Sequence, residues 1–476
     1  MGTRLRRRSS RDRSEAGAVP LSLCPRLLFV GRGLNASRVN PTVAQRLTAA
    51  PHARLNGELG GAKRHYEEMT EGGLDLFAAE GEYVCAECFA DAALRSAVRE
   101  MASFEECSFC DATGSEPIAA PLEDVVRHIH DCILKHYDDA AECLPYDGRE
   151  GGYQGTTFDT WDLVEEVELE AALVDEADGL LETIRKALGD RTWCERDPGA
   201  LREHQVLTYS WEYFAEFIKH ERRFFFVSER PAYAERDGAD QFLGPADMLA
   251  EIASRCRQLN LVARLPAGTR LFRAREQDPG SSFTAPLQLG APPPSGAKQN
   301  RMSPAGVVMT YLAEDQSTAL AETVPTDGTG TGKTFALGEF ETTMDLVLVD
   351  LSEQPSVPSL FDVDRSSERD ALIFLRKFVA DLAKSIARDD RVHVEYVPTQ
   401  VVTEFLRTAP QLRDLDVRGL RYKSAQGDGV CIVLFGGREL LHLTPDEREQ
   451  LVPLEQRVPE DRACLRLVGR HLHRVP

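Results

Sequence analysis

The hydrophobic pattern of the chain changes near residue 261. Before that point, apolar residues recur three or four positions apart, which is the spacing of an amphipathic helix. The clearest tract is 122–137, where Val125 and Ile129 lie one turn apart. Two further helical tracts cover 162–188 and 210–226. The first half of the protein is therefore predicted to be mostly helical.

After residue 261, short runs rich in β-branched and aromatic residues replace the long helical tracts, as is typical of strands. These runs lie at 269–275, 307–313, 335–343, 345–352, 419–424 and 430–437. Helical patterns lie between them at about 315–324, 368–387 and 399–408. This mixture favours an α+β domain. The predicted fold class is therefore α+β, with a mostly helical N-terminal domain.

A length of 476 residues allows two or three domains of roughly 150 residues each. Residues 1–64 contain 13 Lys and Arg against 3 Asp and Glu and show no hydrophobic periodicity, which is typical of a disordered extension. Their apolar stretch is broken by Pro25 and Arg26, so it makes a poor signal peptide. We predict an extension over 1–68, an N-terminal domain over 69–235, a linker over 236–261 and a second domain over 262–476.

Charge and cysteine usage narrow the class of protein further. The net charge is −21 although the first 64 residues are basic, so the remainder is strongly acidic and would repel nucleic-acid phosphates. No uninterrupted apolar run of about 18 residues exists, so a membrane span is not expected. Eleven cysteines without a secretory signal favour free thiols or a metal site over disulfides. We therefore predict a cytoplasmic protein that binds neither nucleic acid nor membrane.

Four of the cysteines form a CxxC–x18–CxxC pattern: Cys85, Cys88, Cys107 and Cys110. Two thiolates separated by two residues can bind one ion, and two such pairs complete a tetrahedral sulfur site. The spacing is that of a zinc ribbon. Four thiolates leave no open coordination position, so the predicted zinc is structural. The alternative is four unligated thiols that share this spacing by chance.

The segment "NRMSPAGVVMTYLAEDQSTALAET" (300–323) is predicted to form a loop, a strand and a helix. It carries Arg301 on the loop, Tyr311 on the strand and Glu322 on the helix. Arg273 lies on an earlier strand, and Ser424 follows a later one. Guanidinium groups match phosphate oxygens, so the set suggests a pyrophosphate-binding site. Taken singly, each of these residues is common on protein surfaces and in cores.

The same segment resembles the signature of RES-domain proteins, which are named for an Arg, a Glu and a Ser. Arg301 matches the family Arg, Tyr311 its Tyr and Glu322 its Glu. The later blocks "VEYVPTQVVTEFLRT" and "GLRYKS" are also similar, so Ser424 matches the Ser. The resemblance covers roughly 262–440.

The first half resembles the HEPN/RES N-terminal domain that occurs joined to RES domains. The matching features are "CAECFAD", "CSFCD", "YDGREGGYQGTTFDT", "TWCERD" and "KHERRFFF", and they cover roughly 74–228. The motifs are similar to those of that domain in sequence, and they also occur in the same order.

The resemblance implies an ADP-ribosyltransferase-like fold and an enzyme that consumes NAD+, by hydrolysis, phosphorolysis or ADP-ribosylation of a protein. On this reading Glu322 stabilises the charged ribose, while Arg301, assisted by Arg273, holds the diphosphate. Tyr311 lines the nicotinamide, and Ser424 bonds the nicotinamide side or a ribose. Members of the family are toxins of toxin–antitoxin pairs, so an antitoxin or regulatory partner is expected, and a role in phage defence is open.

Two other readings remain. The helical half could act as a HEPN-type ribonuclease, but the Arg of an Arg-x4-His motif is missing, since Ala215 stands five residues before His220. The chain could also be a non-catalytic interaction protein that docks a partner through its cysteine-containing half. The complete Arg–Tyr–Glu–Ser set disfavours that reading.

Overall fold

The computed structural model of the protein describes residues 56–175, 177, 179–226, 242–325, 328–384 and 392–476. Residues 1–55 of the predicted extension, and residues 236–241 of the predicted linker, lie outside the described residues. The chain divides into two compact units, Met1–Ala62 and Lys63–Pro476. The fold and the sites described here belong to the second unit, apart from residues 56–62, which begin the first helix.

Short helices and three two-stranded sheets form the N-terminal part of this unit. The helices are α1 Asn56–Met69, α2 Ala92–Met101, α3 Leu122–Ile133, α4 Ala140–Cys143, α5 Thr160–Glu166, α6 Leu180–Ala187 and α7 Glu203–His220. The strands are β1 Tyr83–Cys85, β2 Ala119–Pro121, β3 Tyr137–Asp139, β4 Tyr146–Asp147, β5 Gly152–Tyr153 and β6 Trp193–Glu195. Strand β1 pairs with β2, β3 with β6, and β4 with β5, all antiparallel.

The predicted helical tracts are present but shorter and more divided than expected. Helix α3 ends at Ile133 rather than at Tyr137, which enters strand β3. The tract 162–188 is split into α5 and α6. Between them the backbone takes positive φ at Glu168 (54°) and Gly179 (76°), a conformation that a right-handed helix does not accommodate. Helix α1 also falls largely within the segment predicted to be disordered, and its last residue, Met69, is buried.

The C-terminal part is built on one eight-stranded mixed sheet in the order β14-β10-β8-β9-β13-β12-β11-β7. Its strands are β7 Val262–Leu265, β8 Arg270–Gln277, β9 Thr310–Ala313, β10 Thr334–Thr342, β11 Leu346–Asp350, β12 Val417–Lys423, β13 Val430–Leu434 and β14 Leu465–Arg474. Only β11 and β12 are parallel among these described pairs. The helices are α8 Pro245–Gln258, α9 Pro286–Leu289, α10 Gln316–Thr323, α11 Ser366–Ala383, α12 Val392–Glu395, α13 Val397–Leu406, α14 Pro445–Arg448 and α15 Pro453–Gln456.

The α+β fold class is confirmed, and all six β-like runs predicted from the sequence become strands of this sheet. Two strands were not predicted. Strand β7 has only four residues. Strand β14 reads "LRLVGRHLHR" and is largely exposed, because it is an edge strand that pairs with β10 alone. Charged residues are typical of such edges, and they hide the alternating pattern.

Apolar side chains cover both faces of the sheet. One face packs against α7, α8, α11 and α13 around buried aromatic residues such as Phe214 and Phe378. Helix α7 is fixed there by polar contacts as well: Trp211 Nε1 donates to Asp381 Oδ2 at 3.1 Å. Helix α8 lies within the segment predicted to be a linker, but it buries Met248 and Ile252 in the same core. The predicted linker therefore contains a structural helix.

Among the described helices, none is both long enough and apolar enough to cross a bilayer.

Candidate active site

The loop that carries Arg301 is fixed by two buried side chains of α13. Thr399 Oγ1 donates to the carbonyl of Arg301 at 2.6 Å. Gln400 Nε2 donates to the carbonyls of Asn300 and Ser303 at 2.8 and 3.3 Å. Buried polar groups require such partners. These bonds therefore hold three of the loop carbonyls and fix the backbone from which the Arg301 side chain extends.

The Arg301 guanidinium has no carboxylate partner among the described residues. Its Nη1 donates to the carbonyl of Leu382 at 2.8 Å, and its central carbon lies 5.9 Å from the centroid of the Tyr396 ring. A guanidinium that is oriented by a carbonyl and a ring but keeps its charge uncompensated is suited to bind an external anion.

Glu322 lies in the last turn of α10. The helix begins after Asp315, whose carboxylate accepts the Thr318 N–H at 2.8 Å. Glu322 Oε1 accepts hydrogen bonds from Ser424 Oγ at 2.5 Å and from the Ala425 N–H at 3.2 Å. The Glu322 carboxylate is thus oriented by the chain that follows β12.

The same loop approaches α10 very closely. The Ser424 N–H donates to the carbonyl of Gly429 at 2.8 Å, which closes the loop. A Cβ atom at Gly429 would lie 1.8 Å from Thr318 Oγ1, so only glycine fits. The Gln426 N–H donates to Ser424 Oγ at 3.0 Å, which leaves the hydroxyl hydrogen directed at Glu322.

Strand register places two tyrosines and a cysteine on one face of the sheet. Tyr422 of β12 lies opposite Cys431 of β13, and Val433 of β13 lies opposite Tyr311 of β9. Directly opposite residues share a face, and so do residues two apart along a strand. Tyr311, Tyr422 and Cys431 therefore line the face that the α13 helix covers.

Electrostatic effects connect Arg301 and Glu322 across this face. Burial raises the pKa of Tyr422 well above its usual value, with further contributions from Cys431, Tyr311 and Glu322, whereas Arg301 acts in the opposite direction. Burial, followed by the charge of Glu322, raises the pKa of Cys431 to about 12. Cys431 is therefore a neutral thiol rather than a nucleophile, and it donates to Glu322 Oε1 at 3.8 Å.

The Arg273 side chain meets the backbone of Tyr311 rather than its ring. The Tyr311 hydroxyl is hydrogen-bonded to Ser303 Oγ at 2.9 Å, and burial raises its pKa to about 12. Arg273 Nη1 donates to the Tyr311 carbonyl at 2.8 Å. Phe272 pairs with Ala313, so alternation places Tyr311 on the face of Phe272 and Arg273 on the other face.

The positive charge of the Arg273 guanidinium is poorly compensated at its buried position. Its Nε is buried and has no hydrogen-bond partner among the described residues. Burial, followed by the neighbouring charge of Arg275, lowers the pKa of Arg273 to about 10. The hydrogen bond from Arg273 to the Tyr311 carbonyl joins β8 to β9, which share a single paired position. A role in holding the diphosphate stays a prediction.

The structure joins Glu322 directly to Ser424 and joins Tyr311 to the Arg301 loop through Ser303. The charges of Arg301 and Glu322 both act on Tyr422. Sequence reasoning did not single out Tyr422 or Cys431. Both were visible as residues of predicted strands, in "GLRYKS" and "VCIVLFGG". Without the register of β12 against β13, nothing in the sequence showed that they face each other beside Glu322.

The four predicted metal ligands lie together in the N-terminal part. Their sulfur atoms are all within 4.8 Å of one another. Three of the pairs, Cys85–Cys88, Cys85–Cys110 and Cys88–Cys107, are 3.7, 3.5 and 3.6 Å apart. Zinc–sulfur bonds of about 2.3 Å in a tetrahedron imply sulfur–sulfur distances of about 3.8 Å. The geometry and the donor set therefore fit a four-coordinate metal site.

Comparison with known families agrees with this architecture. Residues 270–454 match the model of the RES domain. Residues 100–232 match the model described as HEPN/RES N-terminal domain 1. The chain therefore combines a RES domain with a HEPN/RES N-terminal domain, as its sequence motifs predicted.

Comparison with individual proteins gives less information than comparison with the families. No curated protein matches the chain. Among solved structures, it is similar to a chain from the "Crystal structure of the M.tuberculosis MbcT-MbcA toxin-antitoxin complex" at 13% identity and a TM-score of 0.25, over 46% of this chain and 92% of that one. A likeness this weak carries no argument about fold or function.

Proposed function

We propose that the protein cleaves the bond between nicotinamide and ribose in NAD+. The observation that carries this proposal is the Glu322 carboxylate, oriented by Ser424 and Ala425, in the same domain as an Arg301 guanidinium that has no carboxylate partner among the described residues. The RES-domain match over 270–454 supports NAD+ as the substrate. The same match supports an ADP-ribosyltransferase-like fold for this domain.

Departure of nicotinamide leaves positive charge on the ribose. A carboxylate next to the ribose stabilises that oxocarbenium-like state, and we assign this role to Glu322. Arg301 holds the diphosphate, because its charge has no described carboxylate partner. Nicotinamide leaves as a neutral molecule from a cationic ring, so this step requires no proton transfer to the leaving group.

Ser424 acts as a positioning residue in this proposal. Its hydroxyl donates to Glu322 and accepts from the Gln426 N–H, so it orients the carboxylate. Tyr311 lines the nicotinamide side of the site, and its hydroxyl holds Ser303 in the Arg301 loop. Water, phosphate or a protein side chain then attacks the ribose and loses a proton.

We further propose that Cys85, Cys88, Cys107 and Cys110 hold one structural zinc ion. Their sulfur spacing supports a closed tetrahedral site. Zinc would stabilise the N-terminal part and leave no position open for substrate. RES domains occur in toxins, so we propose a toxin or phage-defence role in the cell, with an antitoxin or regulatory protein as partner.

The experiment that tests the function is incubation of the purified protein with NAD+, with and without inorganic phosphate. Free nicotinamide is measured by chromatography, and the second product by mass. ADP-ribose identifies water as the acceptor, its phosphorylated form identifies phosphate, and a mass increase on protein identifies transfer. If no nicotinamide is released under any of these conditions, the proposed function is wrong.

A further inference from the structure

A cavity of about 380 Å³ opens at the end of the sheet opposite to Glu322. We call it the basal cavity and define it by Arg407, Arg413, Asp416, Arg418, Phe435 and Arg462. Strand β12 starts beside it at Val417 and ends at Lys423, next to Ser424. Seven strand residues span roughly 20 Å. The basal cavity is therefore separate from the candidate active site.

The walls of the basal cavity concentrate positive charge in an acidic protein. Four arginines face one carboxylate, that of Asp416. Asp416 is bonded to Arg418 at 2.8 Å and to Arg462 at 3.1 Å, so it compensates part of their charge. Arg407 and Arg413 form no side-chain ion pair or hydrogen bond with any described residue. In a chain of net charge −21, such a cluster is suited to attract an anion.

Apolar side chains line the basal cavity beside the arginines. They are those of Leu406, Leu412, Leu434 and Leu440, together with the half-buried aromatic ring of Phe435. A cavity that combines apolar and aromatic side chains with a few charged groups is the usual form of a small-molecule site, and its volume falls within the common range of about 300–1,000 Å³. Inorganic phosphate alone would leave most of this volume unfilled.

We propose that the basal cavity binds a nucleoside monophosphate or a closely similar ligand, with a phosphate on a flat aromatic body. The guanidinium groups of Arg407 and Arg413 would hold the phosphate, since they match its oxygens in pairs. Phe435 would stack on the base. This site takes no part in cleavage of NAD+, so it does not depend on the proposed function.

Calorimetric titration with AMP tests the proposal. Every protein in the test carries Arg301→Ala, which removes the guanidinium most able to bind AMP at the active site. The test protein also carries Arg407→Ala and Arg413→Ala. The matched control carries Arg149→Ala and Arg376→Ala instead, which removes the same charge from two exposed positions outside the cavity.

We expect AMP to saturate one site in the control and the Kd to rise by at least about tenfold in the test protein, because each charge-assisted hydrogen bond contributes about 1.5–3 kcal/mol. Adenosine and inorganic phosphate should each bind at least about tenfold more weakly than AMP. The pair Arg407→Lys and Arg413→Lys retains the charge and should recover part of the affinity.

Three results would overturn the proposal. The first is no saturable binding of AMP with a Kd tighter than about 1 mM. The second is an equal Kd in the test and control proteins. The third is tighter binding of decanoate than of AMP, since that would identify an acyl-chain site rather than a nucleotide site.

Discussion

The cysteine cluster and the candidate active site gather their side chains in different ways. The cluster joins four identical ligands from residues 85–110, in two pairs that are each local in sequence. The active site joins unlike groups from residues 301–424, which come from separate strands, loops and a helix of the C-terminal part. Spacing alone therefore predicted the cluster, whereas the active site depended on a family signature until strand register was known.

The two sites should also respond differently to substitution. A closed metal site contributes to folding free energy, so damage to it should reduce stability. The active site lies on a sheet that is packed by apolar residues on both faces, so changes there should reduce binding or rate and leave the fold intact.

The largest expected effect is on the cluster. Cys107→Ser should reduce zinc from about one ion per chain to near zero and unfold the N-terminal part, because structural zinc contributes about 10–16 kcal/mol of apparent binding free energy in small domains. Metal analysis and thermal melting measure both outcomes. Cys143→Ser changes a half-buried thiol outside the cluster and should retain the zinc. A metal-free Cys107→Ser protein with the wild-type melting temperature would contradict the zinc assignment.

The second-largest expected effect is on the rate of NAD+ cleavage. Glu322→Gln keeps the shape of the side chain and removes its charge, so kcat should fall by roughly 10²–10³, as it does when an electrostatic stabiliser is lost. KM should change little, because the carboxylate acts mainly as charge develops. Nicotinamide release at saturating NAD+ gives kcat. Glu404→Gln, on the exposed side of α13, is the matched control, and it should retain the wild-type rate.

Arg301→Ala should affect binding more than rate. Loss of charged hydrogen bonds to the diphosphate should raise KM by about 10–100-fold, because such a bond contributes about 1.5–3 kcal/mol. Its effect on kcat should be no larger, because the bonds exist in ground and transition states alike. Steady-state kinetics over a range of NAD+ concentrations separates the two constants. A variant with normal KM and greatly reduced kcat would assign Arg301 to the chemical step instead.

The smallest expected effect is that of Ser424→Ala, which should lower kcat about tenfold, since Glu322 loses one charge-assisted hydrogen bond but keeps the one from Ala425. Ser424→Thr retains a hydroxyl and should recover most of the rate. Equal rates for the alanine and threonine variants would show that the hydroxyl does not position Glu322.

Much of the sheet was predictable because its strands are short, β-branched and bounded by polar turns. The exceptions have physical causes. Strand β14 carries charges because it is an edge strand, and α8 is preceded by a polar stretch that resembles a linker. The division between α5 and α6 depends on left-handed backbone at Glu168 and Gly179, which apolar periodicity does not reveal.

At the active site, the sequence motifs predicted Arg301, Tyr311, Glu322 and Ser424, but not how they are held. The bonds from Thr399 and Gln400 to the Arg301 loop span about 100 residues. Tyr422 and Cys431 lie opposite each other because of the register of β12 against β13. Such contacts follow from tertiary packing, so no local pattern in a single sequence predicts them.

The most direct measurement is titration of NAD+ into folded Glu322→Gln protein, where slow cleavage leaves binding observable. We predict saturable binding at one site, and at least about tenfold weaker binding once Arg301→Ala is added. That result would show that Arg301 binds the substrate and that Glu322 acts on it. Failure of folded Glu322→Gln protein to bind NAD+ would contradict this division of roles and the placement of NAD+ at this site.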